Sequence, residues 1–134
     1  MRWLLPAAAA WVLVAGGCSL TNLPDTSSSW QQPCDPPLRR CGHTFTLAKT
    51  NQTSVELRGD FDAGAWQAGV PMALDGGTWE AELTVSWGAD VQYKFFVDGT
   101  MWILDPANPQ TVPDGKGNTN SILRGITCER WTCE

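Results

Sequence analysis

The chain has 134 residues, and its 14 acidic side chains against 9 basic ones give a net charge of −5 with no basic run. Neutralising a phosphate backbone needs clustered Lys and Arg, so nucleic acid is excluded as a partner. Eight tryptophans are more than one small hydrophobic core requires.

Taken in chain order, residues 1–17 carry Arg2, an apolar run over 3–14, and small residues leading to Cys18. The run is shorter than the roughly 20 residues that a membrane-spanning helix needs, so it reads as a targeting segment and is set aside. Its end, "VLVAGGC", resembles the bacterial lipobox, in which small residues precede a cysteine that is lipidated and becomes the new N-terminus. Ala15 stands where that motif usually has leucine. A plain secretory signal is the alternative. The resemblance implies an exported protein anchored to the membrane by lipid on Cys18. Ser19, rather than aspartate, then implies the outer membrane, on its periplasmic or cell-surface side. Removing residues 1–17 leaves 117 residues with 8 basic and 14 acidic side chains, enough for one domain with one core.

Residues 18–42 form the next segment. "SLTNLPDTSSSWQQ" is polar and without period, and reads as a tether about 20 Å from end to end. "CDPPLRRC" follows as a proline-stiffened loop. Beyond Cys18 the cysteines are Cys34, Cys41, Cys128 and Cys133. An even number in an exported chain implies two disulfides. Zinc is the poorer reading, because the spacings are wide and only His43 lies nearby. Three pairings are open. Local loops, Cys34–Cys41 and Cys128–Cys133, are expected, with cross-links between the two ends of the domain as the alternative.

Residues 43–126 read as the folded domain. "HTFTLA", "SVELRGDF", "VPMAL", "TWEAELTV", "VQYKFFV", "MWIL" and "TNSILRGI" are short runs, several of them alternating, and turn residues separate them. No helical period is sustained. About seven such strands predict an all-β fold, a two-sheet sandwich of immunoglobulin-like shape. "DPANPQTVPDGKG" reads as a long loop, and residues 127–134 as a cysteine-containing tail. In "VQYKFFVDGTMWILDPANP", Tyr93, Phe95 and Val97 read as core. Lys94 and Phe96 fall on the polar face, and Trp102 follows just past a tight turn.

No catalytic constellation emerges. His43 is the one histidine, and no phosphate-binding glycine loop precedes a helix. The acids sit on strand faces and in turns, where solvated acids usually sit, so the chain is expected not to be an enzyme. Trp79 shares a face with Leu83 and Val85 and fits a core. Trp66 and Trp102 lie in or beside loops, away from an alternating apolar set. Loop tryptophans can serve as packing lids. They can also serve as sugar platforms, because an indole meets the C–H face of a pyranose while Lys, Asn and Asp bond its hydroxyl rim.

The ordered blocks "SVELRGDF", a loop with Trp66, "VPM", "DGGTWEAEL", "VQYKFFVDGTMWILDPANP" and "GNTNSIL" resemble carbohydrate-binding module family 48. That family includes the glycogen-binding domain of the AMP-activated protein kinase β subunit and the N-terminal sandwich domains of starch-branching and debranching enzymes. The resemblance covers residues 43–126. It implies an early-set sandwich that binds α-1,4-linked glucans of the glycogen and starch type. By position, Trp66 and Trp102 match the platform tryptophans, and Lys94 and Asn120 match residues that reach sugar hydroxyls. Asn118 stands in place of a threonine and Lys116 in place of an aliphatic residue. The loop before Trp66 is longer by two residues, and Met101 is an extra residue before Trp102. Phe96 reads as support beneath the platform.

The expectation is therefore a non-catalytic module on a lipid anchor, with an α-glucan polysaccharide as partner and no metal or cofactor. One alternative is a structural N-terminal domain of an amylase-type glycoside hydrolase whose catalytic domain is missing from the chain. The other is a cell-surface protein-interaction sandwich.

Overall fold

The computed structural model describes residues 34–134. Cys18 and Trp30, with the targeting segment and the whole of the expected tether, lie outside the described residues. Ten strands follow a short 3-10 turn at Pro36–Leu38. They are β1 (Arg39–Ala48), β2 (Val55–Gly59), β3 (Val70–Pro71), β4 (Ala73–Asp75), β5 (Thr78–Ser86), β6 (Val91–Val97), β7 (Met101–Ile103), β8 (Thr111–Pro113), β9 (Thr119–Leu123) and β10 (Trp131–Cys133).

The fold is the expected all-β sandwich. One sheet has the order β10-β1-β5-β4 and the other β3-β2-β6-β9-β8, with β7 also paired to β6. All the pairings are antiparallel. Three short strands add to the seven read from the sequence. "VPMAL" divides at Met72, so that β3 pairs with β2 in one sheet and β4 with β5 in the other. Buried Met72 marks the crossing, and Pro71 is tolerated because β3 is an edge. β8 forms inside the expected loop and pairs with β9. β10 forms in the expected tail and pairs with the start of β1.

Alternation fills the space between the sheets. Cys41, Phe45, Leu47, Trp79, Ala81 and Val85 enter from one side, and Val55, Leu57, Val91, Tyr93, Phe95 and Val97 from the other. Phe45 and Tyr93 meet edge to face across the core with ring centroids 4.8 Å apart, the preferred geometry for aromatic pairs. Beyond the ring, the Tyr93 hydroxyl donates to Asp105 at 2.7 Å and accepts from the Asn108 side chain at 3.1 Å. Asn108 also donates to the Ile122 carbonyl at 2.9 Å, and the Asp105 N–H donates to Ser121 Oγ at 2.9 Å. Asp105 and Asn108 of "DPANP" thus clamp the loop after β7 onto β6 and β9. Burial, chiefly, and the Asp105 carboxylate hold the Tyr93 phenol well above its ordinary pKa.

The disulfides correct the expected local loops. Cys34 pairs with Cys133 (Cα–Cα 6.1 Å) and Cys41 with Cys128 (5.7 Å). The physical reason is the pairing of β10 with β1, which sets Arg39 opposite Cys133 and Cys41 opposite Trp131. That brings the two ends of the domain side by side, so each cysteine meets one from the far end of the chain. All four cysteines of the described residues are used in these two bridges. Trp87 and Trp131 pack at the same end, 5.4 Å apart and edge to face, with the Arg39 guanidinium 4.4 Å from the Trp131 ring and 5.1 Å from that of Trp87. These two tryptophans belong to the closure of the domain.

Non-reducing peptide mapping is expected to recover Cys34–Cys133 and Cys41–Cys128 and neither local loop. Cys41 is fully buried. Opening its bridge by paired substitution to Ala is expected to lower stability by about 2–5 kcal/mol in urea denaturation, and by more than opening the outer bridge.

Candidate functional site

The outer face of the β3-β2-β6-β9-β8 sheet carries the candidate residues. In β6 the inward set is Val91, Tyr93, Phe95 and Val97, so Gln92, Lys94 and Phe96 point outward. Register then selects their neighbours. β2 sets Arg58 opposite Lys94 and Glu56 opposite Phe96. On the other side, β7 sets Trp102 opposite Phe96. β9 sets Ser121 opposite Tyr93, which leaves Asn120 beside Lys94 on the outer face.

Trp102 depends on the turn before it. Asp98 (φ 50°) and Gly99 (φ 69°) are both left-handed, the combination of a type I′ hairpin turn, and the Thr100 N–H donates to the Val97 carbonyl at 3.1 Å. Val97 pairs with Met101 and Phe96 with Trp102, so residues 98–100 make the connection and Trp102 faces outward with Phe96. Asp98 also binds the β1–β2 loop, accepting from the Ser54 N–H at 2.9 Å and from the Thr53 N–H and Oγ1 at 2.8 Å each. Trp66 comes from residues 62–68, a compact double turn in which the Ala65 N–H donates to the Asp62 carbonyl at 3.1 Å and the Gln67 N–H to the Gly64 carbonyl at 2.9 Å. Ala65 is buried, whereas Trp66 is only half-buried.

The structure brings Trp66 and Trp102 together, with ring centroids 6.4 Å apart and ring planes inclined at 45°. Trp102 is 43% exposed. Phe96 lies 4.8 Å from Trp102. Arg58, which the sequence reading passed over, sits in the same cluster, 3.9 Å from the Phe96 centroid and 5.2 Å from that of Trp102. It pairs with Glu56 at 2.9 Å.

The two asparagines are differently placed. Asn120 is only 7% exposed, and its side-chain amide donates to Gln92 Oε1 at 3.1 Å. It is a lining residue at the foot of Lys94. Asn118 is exposed on the β8–β9 turn, where its N–H and side-chain amide both donate to Asp114, at 3.0 and 3.1 Å. Asp114 accepts the Lys116 N–H at 2.7 Å as well. The N–H groups of Lys116 and Asn118, then the nearby Lys94 charge, hold the Asp114 carboxyl below its usual range. Arg58 balanced by Glu56, and Lys94 lying near Asp114, leave the face without strong net charge, which suits a neutral ligand.

A cavity of about 280 Å³ lies elsewhere, lined in part by His43, Tyr93, Asp105 and Asn108. Burial lowers the His43 pKa. The polar groups of Tyr93, Asp105 and Asn108 are engaged with one another in the loop clamp, so this cavity is secondary to the aromatic face.

A small two-sheet sandwich with one exposed and one half-buried indole grouped on one open face has the build of a binding module. The chain belongs to the family described as the glycogen recognition site of AMP-activated protein kinase, whose pattern matches residues 42–126; it is a carbohydrate-binding module of that type. Among solved structures, its fold is similar to part of the enterobactin esterase FES from Shigella flexneri, at 16% identity and a TM-score of 0.52. That match covers 71% of this chain and 31% of the esterase chain, and it is a likeness of fold alone. No curated protein matches the sequence significantly.

The Asp98 contacts make a pH prediction. The Ser54 N–H first, then the Thr53 N–H and hydroxyl, hold its carboxyl below the usual range. A depressed folded pKa stabilises the fold fully above the unfolded value of about 3.9, and that stabilisation is lost as pH falls through the folded value. Asp98→Asn keeps an acceptor and tolerates the left-handed backbone, but it cannot titrate. Between roughly pH 5 and pH 2, the urea midpoint of the wild type is expected to fall more steeply than that of the variant.

Proposed function

We propose that the module binds α-1,4-linked glucans on its outer face, with Trp66 and Trp102 stacking on successive glucose rings and Lys94 bonding their hydroxyls. Asn120, buried and engaged with Gln92, lines the floor beside Lys94, and Asn118 borders the face from the β8–β9 turn. The carrying observation is the pair of neighbouring rings tilted 45° to one another. A β-1,4 glucan is a flat ribbon and stacks best on coplanar platforms, whereas an α-1,4 glucan curves and presents successive ring faces at an angle. Membership in a glycogen-recognition family supports the same ligand class. The module acts without catalysis. An open face buries little of its ligand, so its affinity for one short chain is weak, and several contacts along a polymer raise the avidity.

In native gels containing glycogen or amylopectin the wild type is expected to be retarded, and in gels containing a soluble cellulose derivative it is not. Trp66→Ala and Trp102→Ala are each expected to weaken retardation by about tenfold, a loss of roughly 1.4 kcal/mol of binding. A folded wild type that runs unretarded in glycogen would sink the reading.

The proposed setting is the outer membrane, on the periplasmic or cell-surface side, with the chain anchored by lipid on Cys18. The two disulfides support an oxidising compartment. When the chain is expressed with its own leader in a bacterial host, the product is expected to partition into detergent, and Cys18→Ser to move it to the aqueous phase. Equal partition of both would remove the anchor.

A second reading makes the sandwich an accessory domain; the fold likeness shows only that such a sandwich occurs within a larger enzyme chain, over 31% of its length. On that reading the domain packs against a glycoside hydrolase catalytic domain. It requires such a domain in frame downstream, and it expects the two tryptophan substitutions to leave polysaccharide retardation unchanged.

A further inference from the structure

We propose that Arg58 is the positioning residue of the aromatic face, setting the distance and tilt between Trp66 and Trp102. Its effect on binding rests on the carbohydrate reading above; its effect on the rings does not. The two indoles come from separate loops, and their contact at 6.4 Å does not by itself hold an angle of 45°. Arg58 touches both arms. Its Nη1 donates to the Trp66 carbonyl at 3.3 Å. Its guanidinium lies 3.9 Å from the Phe96 centroid and 5.2 Å from that of Trp102.

Glu56 Oε2 accepts from Nε and Nη2, both at 2.9 Å. The edges of the guanidinium are therefore used in hydrogen bonds while it also lies against the aromatic rings, and its side chain is only 14% exposed. The returning backbone is closed down on its stem. A Cβ added at Gly69 would come within 2.5 Å of both Arg58 Cγ and the Leu57 carbonyl, so only glycine lets the end of the Trp66 loop lie so close. With donors committed to Glu56 and Trp66, Arg58 acts on a ligand through the indoles. Lysine cannot replace it, since an ammonium has neither the flat face nor the fork.

The test uses the chain labelled with fluorotryptophan, read by fluorine NMR and by retardation in glycogen gels, as wild type, Arg58→Met and Arg58→Lys. In both variants the Trp66 and Trp102 resonances are expected to move while those of Trp79, Trp87 and Trp131 stay. Retardation is expected to weaken about tenfold. Unmoved Trp66 and Trp102 resonances in Arg58→Met would overturn the proposal, as would Arg58→Lys restoring both readouts. Movement of the Trp79, Trp87 and Trp131 resonances as well would also overturn it, because the residue would then support the fold at large. If the two resonances move but the wild type ignores glycogen, the positioning role stands and the carbohydrate reading falls.

Discussion

Strand β6 is hydrogen-bonded along both edges, and the rest of the structure hangs on that placement. With β2 on one side and β7 and β9 end to end on the other, its alternation is locked. A slip of one residue would turn Tyr93 and Phe95 out of the core and Lys94 and Phe96 into it. The same register that seals the core therefore composes the outer face. Arg58 and Glu56 arrive from β2, Trp102 from β7 and Asn120 from β9, each through its ladder position. Phe96 looks misplaced on a polar face until its neighbours are seen. It lies against both Arg58 and Trp102, so its ring covers apolar surface that water would otherwise meet.

The tryptophans divide by the work they do. Trp79 is buried in the core, opposite Leu47. Trp87 and Trp131 grip Arg39 where the two ends of the domain meet. Trp66 and Trp102 are left at the surface, each held by a tight turn. Both aromatic groups outside the core use an arginine as their planar partner, since a guanidinium can stack and donate hydrogen bonds at once.

Much of this was legible in the sequence, and the failures have causes. The period-two runs marked the strands, and the alternation in "VQYKFFV" sorted core from face residue by residue. What alternation cannot carry is pairing. Arg58 shares the outward phase of Glu56, but only the register to β6 shows that it meets Phe96 and Trp102. The expected local disulfides failed likewise. Closeness along the chain suggested them, while the antiparallel pairing of β10 with β1, which exchanged the partners, involves three residues at one end of the chain and leaves no periodic trace. "VPMAL" read as one strand because its apolar run is continuous; its change of sheet at Met72 is a tertiary event. "DPANP" carried family resemblance, and its Asp105 and Asn108 serve the loop clamp on Tyr93, away from the aromatic face.

The Cys34–Cys133 bridge spans a sequence separation of 99 residues with Cα atoms 6.1 Å apart. In mechanical terms it is a short circuit. A pull applied between residue 34 and residue 133 runs through a sulfur–sulfur bond and bypasses both sheets, so the hydrogen-bond ladders between them carry none of that load.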